Sequence, residues 1–252
     1  MVIDFHTHIQ PNTDVEHFLA EMDKESIQLS VVLALGQDQE ELEESNRLIA
    51  SLVQKHPSRL AGFASVTPTR KNAVKDFEEL VKNHGFRGLK LHPPIQHFSI
   101  DDPRVSPLME KCAELDLPVL FHTGGVFLRE GVIRFGDPLL IDELAIRHPH
   151  TKMIIAHGNP FGPDPYIAGK HPNVYLDTTL TFAQIARLIP RIGPEMLDWM
   201  RTDEKVLYGS DANPNRTWRF KYNLDPIRDM DIPEPSRAKI LGGTARKLLK
   251  LD

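Results

Sequence analysis

Val2-Ile3-Asp4-Phe5-His6-Thr7-His8 opens the chain as a short apolar segment that runs straight into two histidines. Seven further short segments rich in branched or aromatic residues follow, at Leu29 to Leu35, Leu60 to Val66, Phe86 to Leu91, Leu117 to His122, Lys152 to Ala156, Asn173 to Asp177 and Val206 to Tyr208. With Val2 to Phe5 as the first, they predict eight strands. Their starts lie roughly 20 to 35 residues apart, about the length of a βα unit. Most have a continuous apolar centre instead of strict alternation, as expected for strands covered by helices on both faces.

The intervening stretches carry helical signatures. Thr13-Asp14-Val15-Glu16 fits a capping box, with Phe18, Leu19 and Met22 behind it at helical spacing. Asp38 to Lys55 places Leu42, Ile49, Leu52 and Val53 on one stripe, and Val74, Phe77, Leu80 and Val81 repeat the pattern ahead of a terminating Gly85. Asp102-Pro103 supplies a cap and an N1 proline, and Ser236 to Leu249 closes the chain as a helix. Between Ala156 and Asn173 the run of Gly, Asn and Pro predicts a long loop with at most a short helix. Strict alternation of strand and helix admits a closed (β/α)8 TIM barrel or an open doubly wound sheet, and the count of eight favours the barrel. No linker, charge block or low-complexity tract divides the chain, so residues 1–252 are read as one domain.

Composition narrows the function. Thirty basic against thirty-five acidic residues, net charge -5, give no basic surface for nucleic acid. The longest apolar run, Val31 to Leu35, is too short to enter a bilayer as a span. The opening residues show neither a basic start nor an apolar signal core, and the single Cys112 cannot form an internal disulfide. A cytoplasmic protein with a small-molecule substrate, and no nucleic-acid or membrane partner, is expected.

Barrel active sites sit at the C-terminal ends of the strands, where this chain carries polar residues. His6 and His8 lie at i and i+2 of a strand and can present two imidazoles to one side. Other strands end in Phe121-His122, Ala156-His157 and Gly209-Ser210-Asp211. Any one of these is ordinarily a packing or turn residue; four histidines and an aspartate converging on one mouth point to a metal. Nitrogen-rich ligation with a carboxylate suits zinc, or manganese, iron or cobalt, whereas magnesium and calcium prefer all-oxygen sites.

These pieces, with Gly88-Leu89-Lys90-Leu91-His92-Pro93, Phe121-His122-Thr123-Gly124 and Ile240-Leu241-Gly242-Gly243-Thr244-Ala245, resemble the amidohydrolase superfamily, and within it the amidohydrolase-related group of metal-dependent hydrolases and decarboxylases. The resemblance spans nearly the whole chain. It implies a distorted TIM barrel with one or two ions, His6, His8, His122 and Asp211 as ligands, and His157 as a further ligand or an acid/base. Lys90 would either bridge two ions as a carbamate or pair with a substrate carboxylate or Asp211; His92 would bind substrate. One departure is His157-Gly158-Asn159-Pro160, where many relatives carry a small apolar residue and glycine after the histidine. Dimers are common among relatives, so a homodimer is one expected form.

The leading expectation is hydrolysis of a small carboxylate-bearing ester, lactone or amide by a metal-activated water, with Asp211 moving the proton and His157 or His92 stabilising the oxyanion. Arg216, Arg129, Asn213 and Phe127 on the βα loops are candidate substrate contacts. The alternative keeps the site and changes the reaction to non-oxidative decarboxylation of an aromatic or unsaturated acid. A non-enzymatic metal-binding barrel is the third reading.

Overall fold

The computed structural model describes residues 1–251. All eight expected strands form among them: β1 (Val2–Thr7), β2 (Ile27–Leu33), β3 (Leu60–Phe63), β4 (Leu89–Leu91), β5 (Val119–Phe121), β6 (Met153–Ile155), β7 (Val174–Asp177) and β8 (Val206–Leu207). Neighbours in sequence pair in parallel throughout, as one ladder β1-β2-β3 and a second β4-β5-β6-β7-β8. Two seams join the ladders. At one, Lys90 N donates to Ala64 O at 2.7 Å and Ala64 N to Gly88 O at 3.0 Å. At the other, Phe5 N donates to Tyr208 O and His8 N to Ala212 O, both at 2.9 Å. The sheet is therefore closed, which rejects the open doubly wound alternative.

Several strands are shorter than the apolar runs that announced them. Beyond Phe63 and Leu207, for instance, the backbone leaves the regular ladder, and Ala64 meets Leu89 only as an isolated bridge.

The helices follow the sequence with local corrections. Asp14, not Thr13, caps helix Val15–Lys24: its Oδ1 accepts from His17 N at 2.9 Å, while the Thr13 hydroxyl donates to Gln10 O. Asp38 precedes helix Gln39–Lys55 as its cap, and Gly85, in the left-handed region at φ 69°, ends Ala73–His84 as expected. Asp102-Pro103 opens a 3-10 turn, Pro103–Val105, that leads into helix Ser106–Glu114. The loop after β6 holds only the short helix Asp164–Lys170. The last helical run starts at Glu234 and is interrupted by a π turn, Lys239–Gly243, before Thr244–Leu249. Gly242 sits on that turn against the Met1 carbonyl, where an added Cβ would approach to 2.5 Å.

Two apolar cores result. Ile3, Phe5, Leu29, Val31, Leu33, Ala61, Phe63, Leu120, Ile154 and Leu207 fill the barrel, with Ala245, Leu248 and Leu249 of the last helix packed against them. The opposite strand faces, among them Val32, Leu89, Leu91, Val119, Phe121 and Leu176, pack under the helical layer. Strands buried on both faces explain their near-continuous apolar runs. Among the described residues no helix is long and apolar enough to cross a membrane.

Gly88 lets β4 approach the interior ring of Phe63, which packs edge-on to Phe5 at 5.4 Å. A Cβ there would lie 2.4 Å from Phe63 Cζ. Gly88→Ala is therefore expected to cost about 1–3 kcal/mol of stability through overpacking. Chemical denaturation checks this, and a variant as stable as the parent would show that the ring yields without cost.

Candidate metal centre

The site begins with an irregularity in β1. Asp4 pairs with Ser30 and Thr7 with Val32, so three steps on β1 match two on β2. One extra residue in a strand is a β-bulge, which re-aims the side chains beyond it. Ile3 and Phe5 point into the barrel below the bulge. Above it His6 and His8 share the mouth, their ring centroids 5.3 Å apart, while Thr7 turns its hydroxyl to Val31 O at 2.8 Å.

Asp211 meets both histidines from beyond β8. Its Oδ1 lies 3.4 Å from His8 Nε2 and 3.9 Å from His6 Nε2. One potential ligand atom from each of the three residues falls within 4.8 Å of the others. Asp211 adopts φ 54°, a left-handed conformation that costs a non-glycine residue energy and recurs at functional sites. Its backbone is held by Asp211 N donating to His6 O at 2.7 Å and by Arg219, which donates to Asp211 O at 2.7 Å and also to Oδ2. The preceding Ser210 donates from both N and Oγ to the buried Asp4 carboxyl, tying this loop to β1.

The donor set fits a divalent ion. His8 Nδ1 faces Leu33 O at 3.0 Å; a carbonyl can only accept, so Nδ1 carries the proton and Nε2 keeps its lone pair. His6 Nδ1 pairs with Asp177 Oδ2 at 2.7 Å, and His6 Nε2 is buried with no hydrogen-bond partner. A buried nitrogen aimed at a carboxylate and another imidazole is an orphan that a cation would satisfy. Burial pushes His8 down to about 3 and His157 down to about 4, so both are neutral bases at ordinary pH. Burial alone would raise Asp211, but His8, His6, His157 and Arg219 outweigh it and hold the carboxyl below its ordinary value.

The remaining candidates divide. His157, also left-handed at φ 58°, places its ring 5.0 Å from His6 and its Nε2 3.1 Å from His122 Nδ1. His122 stands outside the three-residue cluster; its Nε2 lies 3.3 Å from Gly125 O, and its ring stacks on His92 at 3.7 Å. His92 is fixed through its N–H to Gln96 Oε1 at 2.7 Å, and its buried Nδ1 has no partner. Lys90 points inward from β4, fully buried, and its ammonium has no hydrogen-bond partner. Burial lowers it to about 8, against the opposing pull of Asp177 and Asp211.

Arg216 is exposed on the loop and forms no ion pair among the described residues; three residues on, Arg219 is the arginine that reaches Asp211. Arg129 and Phe127 are likewise exposed, and Asn213 Oδ1 closes a turn by accepting from Asn215 N at 3.0 Å. Sequence reasoning passed over Asp4, Asp177 and Arg219. Asp177 carried a usable signal, since it ends its strand as the other site residues end theirs.

A model of the amidohydrolase family matches residues 3–251. The chain belongs to this family. Among curated relatives it is 25% identical to a 2-keto-4-carboxy-3-hexenedioate hydratase of Sphingobium sp., over 82% of this chain and 71% of the relative. It is 23% identical to a 2-amino-3-carboxymuconate-6-semialdehyde decarboxylase of Dictyostelium discoideum, over 82% of this chain and 66% of the relative. A solved dihydroxybenzoic acid decarboxylase from Polaromonas sp. JS666, with bound manganese and the inhibitor 2-nitroresorcinol, superposes with a TM-score of 0.75 at 17% identity, covering 99% of this chain and 97% of that one. At that identity the superposition establishes the shared barrel. The curated relatives named here are enzymes, and the solved neighbour carries manganese.

Asp4 yields a pH prediction for the metal-free protein. Burial pushes its carboxyl from 3.8 up to about 8, so the folded chain keeps a proton that the unfolded chain releases. The stability it contributes is complete below about pH 4 and is lost as the pH rises to about 8. His8 and His157 act in the opposite sense, costing stability as the pH falls below 6.5. Thermal melts of Asp4→Asn should therefore show a flatter decline between pH 6.5 and 8 than the parent. An unchanged slope would mean that Asp4 is ionised in the fold.

Proposed function

We propose that this chain is a divalent-metal-dependent enzyme that decarboxylates a small aromatic or unsaturated carboxylic acid without oxidation. One observation carries the reading: Lys90, a buried ammonium with no protein partner, stands at the mouth that holds His6, His8 and Asp211. A free cation there gives an acid substrate its counter-ion, and an unmodified lysine fits a one-ion site better than a carbamate bridge. The hydratase and decarboxylases above, by their names, act on acids of this kind.

His6, His8 and Asp211 would hold the ion, zinc or manganese, with His122 as the further donor. The ion would supply positive charge that orients the substrate oxygens and stabilises electron density left on carbon. Lys90 binds the substrate carboxylate, and the stacked His92 and His122 rings offer a flat wall for an aromatic or conjugated acid. The net change is loss of carbon dioxide from R–COO⁻ and arrival of one proton at the vacated carbon. Asp211, taking a proton from water as the substrate binds, would deliver it. Its carboxyl is held low in the free site, but a substrate carboxylate brought alongside raises its proton affinity by like-charge repulsion. His157, its ring 5.0 Å from that of His6, would be the neighbouring base.

Hydrolysis, the first expectation from sequence, retains one specific support. An ionised Asp211 is suited to accept a proton from a water as it attacks carbon, a step that decarboxylation does not include.

The two readings separate in labelled water. Metal-loaded protein incubated with dihydroxybenzoates and carboxymuconate-type acids in ¹⁸O water should release carbon dioxide in step with substrate loss and leave the organic product unlabelled. ¹⁸O in a cleaved product would replace the proposal with hydrolysis. Asp211→Asn should lower kcat by about 10²-fold or more. Lys90→Met should chiefly raise KM, and about one ion per chain should be found by elemental analysis. Two ions with a carboxylated Lys90 would remove its role as counter-ion.

A further inference from the structure

Asp177 sits at the C-terminal end of β7, fully buried, and its carboxylate contacts both His6 and His157 of the metal mouth. Its Oδ1 accepts from His157 N at 2.8 Å and Thr179 N at 3.0 Å. Its Oδ2 meets His6 Nδ1 at 2.7 Å. One oxygen is thus committed to two backbone N–H groups, one of them on the left-handed His157. The other oxygen is left to a single imidazole nitrogen. On the far side of that ring, His6 Nε2 is buried and unpartnered, 3.9 Å from Asp211 Oδ1.

We infer that Asp177 is a positioning residue that sets the tautomer of His6, holding the ring proton on Nδ1 so that the Nε2 lone pair faces the metal position. A carboxylate oxygen accepts and does not donate, so the shared proton belongs to the imidazole. A neutral imidazole has one ring proton; placing it on Nδ1 removes it from Nε2. The same side chain, through Oδ1, keeps His157 in its strained backbone state, so a single buried carboxylate presets two histidines before any ion arrives. His8 is oriented in the same way by Leu33 O. The difference is that a backbone carbonyl cannot be changed by a side-chain substitution, whereas Asp177 can. Partners of this type are worth roughly 10–100-fold in metal affinity.

The inference rests on the metal-centre part of the proposed function and is independent of which reaction the centre performs. Asp177→Asn is nearly isosteric. Its oxygen can keep the N–H groups of His157 and Thr179, while its NH₂ must face His6 and donate to Nδ1. That forces the ring proton to Nε2, where it blocks an ion.

The test reads ¹⁵N chemical shifts of the His6 ring in metal-free protein, assigned by loss of the signals in His6→Gln, together with manganese binding by titration calorimetry. In the parent, the His6 proton is expected on Nδ1. In Asp177→Asn it should move to Nε2, with manganese affinity reduced about 10–100-fold and the melting transition still cooperative. A purely structural role would lower the melting temperature and leave the tautomer and the affinity of the folded fraction unchanged; that result overturns the inference. Should the variant fail to fold, the parent spectrum decides alone, because a proton on Nε2 there also overturns it. A parent that binds no manganese or zinc would defeat the metal-centre reading itself, which is a different outcome from a parent that binds and a variant that binds equally well.

Discussion

A closed barrel of parallel strands leaves its polar side chains one place to converge. Along the ladders both strand faces are buried, one against the barrel interior and the other beneath the helices, so an unpaired polar group there would carry its full desolvation cost. The constraint relaxes at the C-terminal ends of the ladders. His6, Lys90 and Asp177 within β1, β4 and β7, and His8, His122, His157 and Asp211 just past β1, β5, β6 and β8, meet there in one layer. Everything chemical about this chain follows from that confinement.

Within the layer, charge is balanced by pairs that each leave something over. Asp177 satisfies His6 on one side and leaves Nε2 open on the other; Arg219 satisfies Asp211 Oδ2 and leaves Oδ1 facing two histidines. His122 and His157 pair with each other, and Lys90 with nothing in hydrogen-bond range. Incomplete pairing in a buried site is costly to a fold taken alone, and its concentration in one layer is what separates a ligand site from a core. Asp4 shows the contrast. It is as buried as Asp177, but its two oxygens are consumed by Ser210 and by His6 N, and its task is to hold the β8 loop against β1.

The strand order and the identity of the strand-end histidines were legible because they depend on local facts. Apolar runs of branched residues, separated by capped amphipathic stretches, recur at βα spacing whatever the eventual three-dimensional contacts. The reading faltered where geometry comes from partners distant in sequence. The β1 bulge depends on how β1 meets β2, and it is what lets His6 and His8 follow Phe5 into the interior. Arg216 and Arg219 are indistinguishable in the loop that carries them; only the start of helix Trp218–Arg228 turns Arg219 toward Asp211. The one-residue displacement of the first cap, from Thr13 to Asp14, arises because Thr13 finds the Gln10 carbonyl first.

By itself the sequence determined that the chain alternates strand and helix eight times, that histidines and an aspartate stand at the strand ends, and that a metal-binding barrel mouth is the economical reading. Those properties are written in residue type and period, which neighbours in the chain enforce. Tertiary structure alone decided that the two ladders close, that His6, His8 and Asp211 form the tight group while His122 pairs with His157, and that Asp177 governs His6 across 171 residues of chain. Hydrogen bonds of that kind depend on distances of a few tenths of an ångström between strands that meet only when the barrel shuts, and no local pattern encodes them.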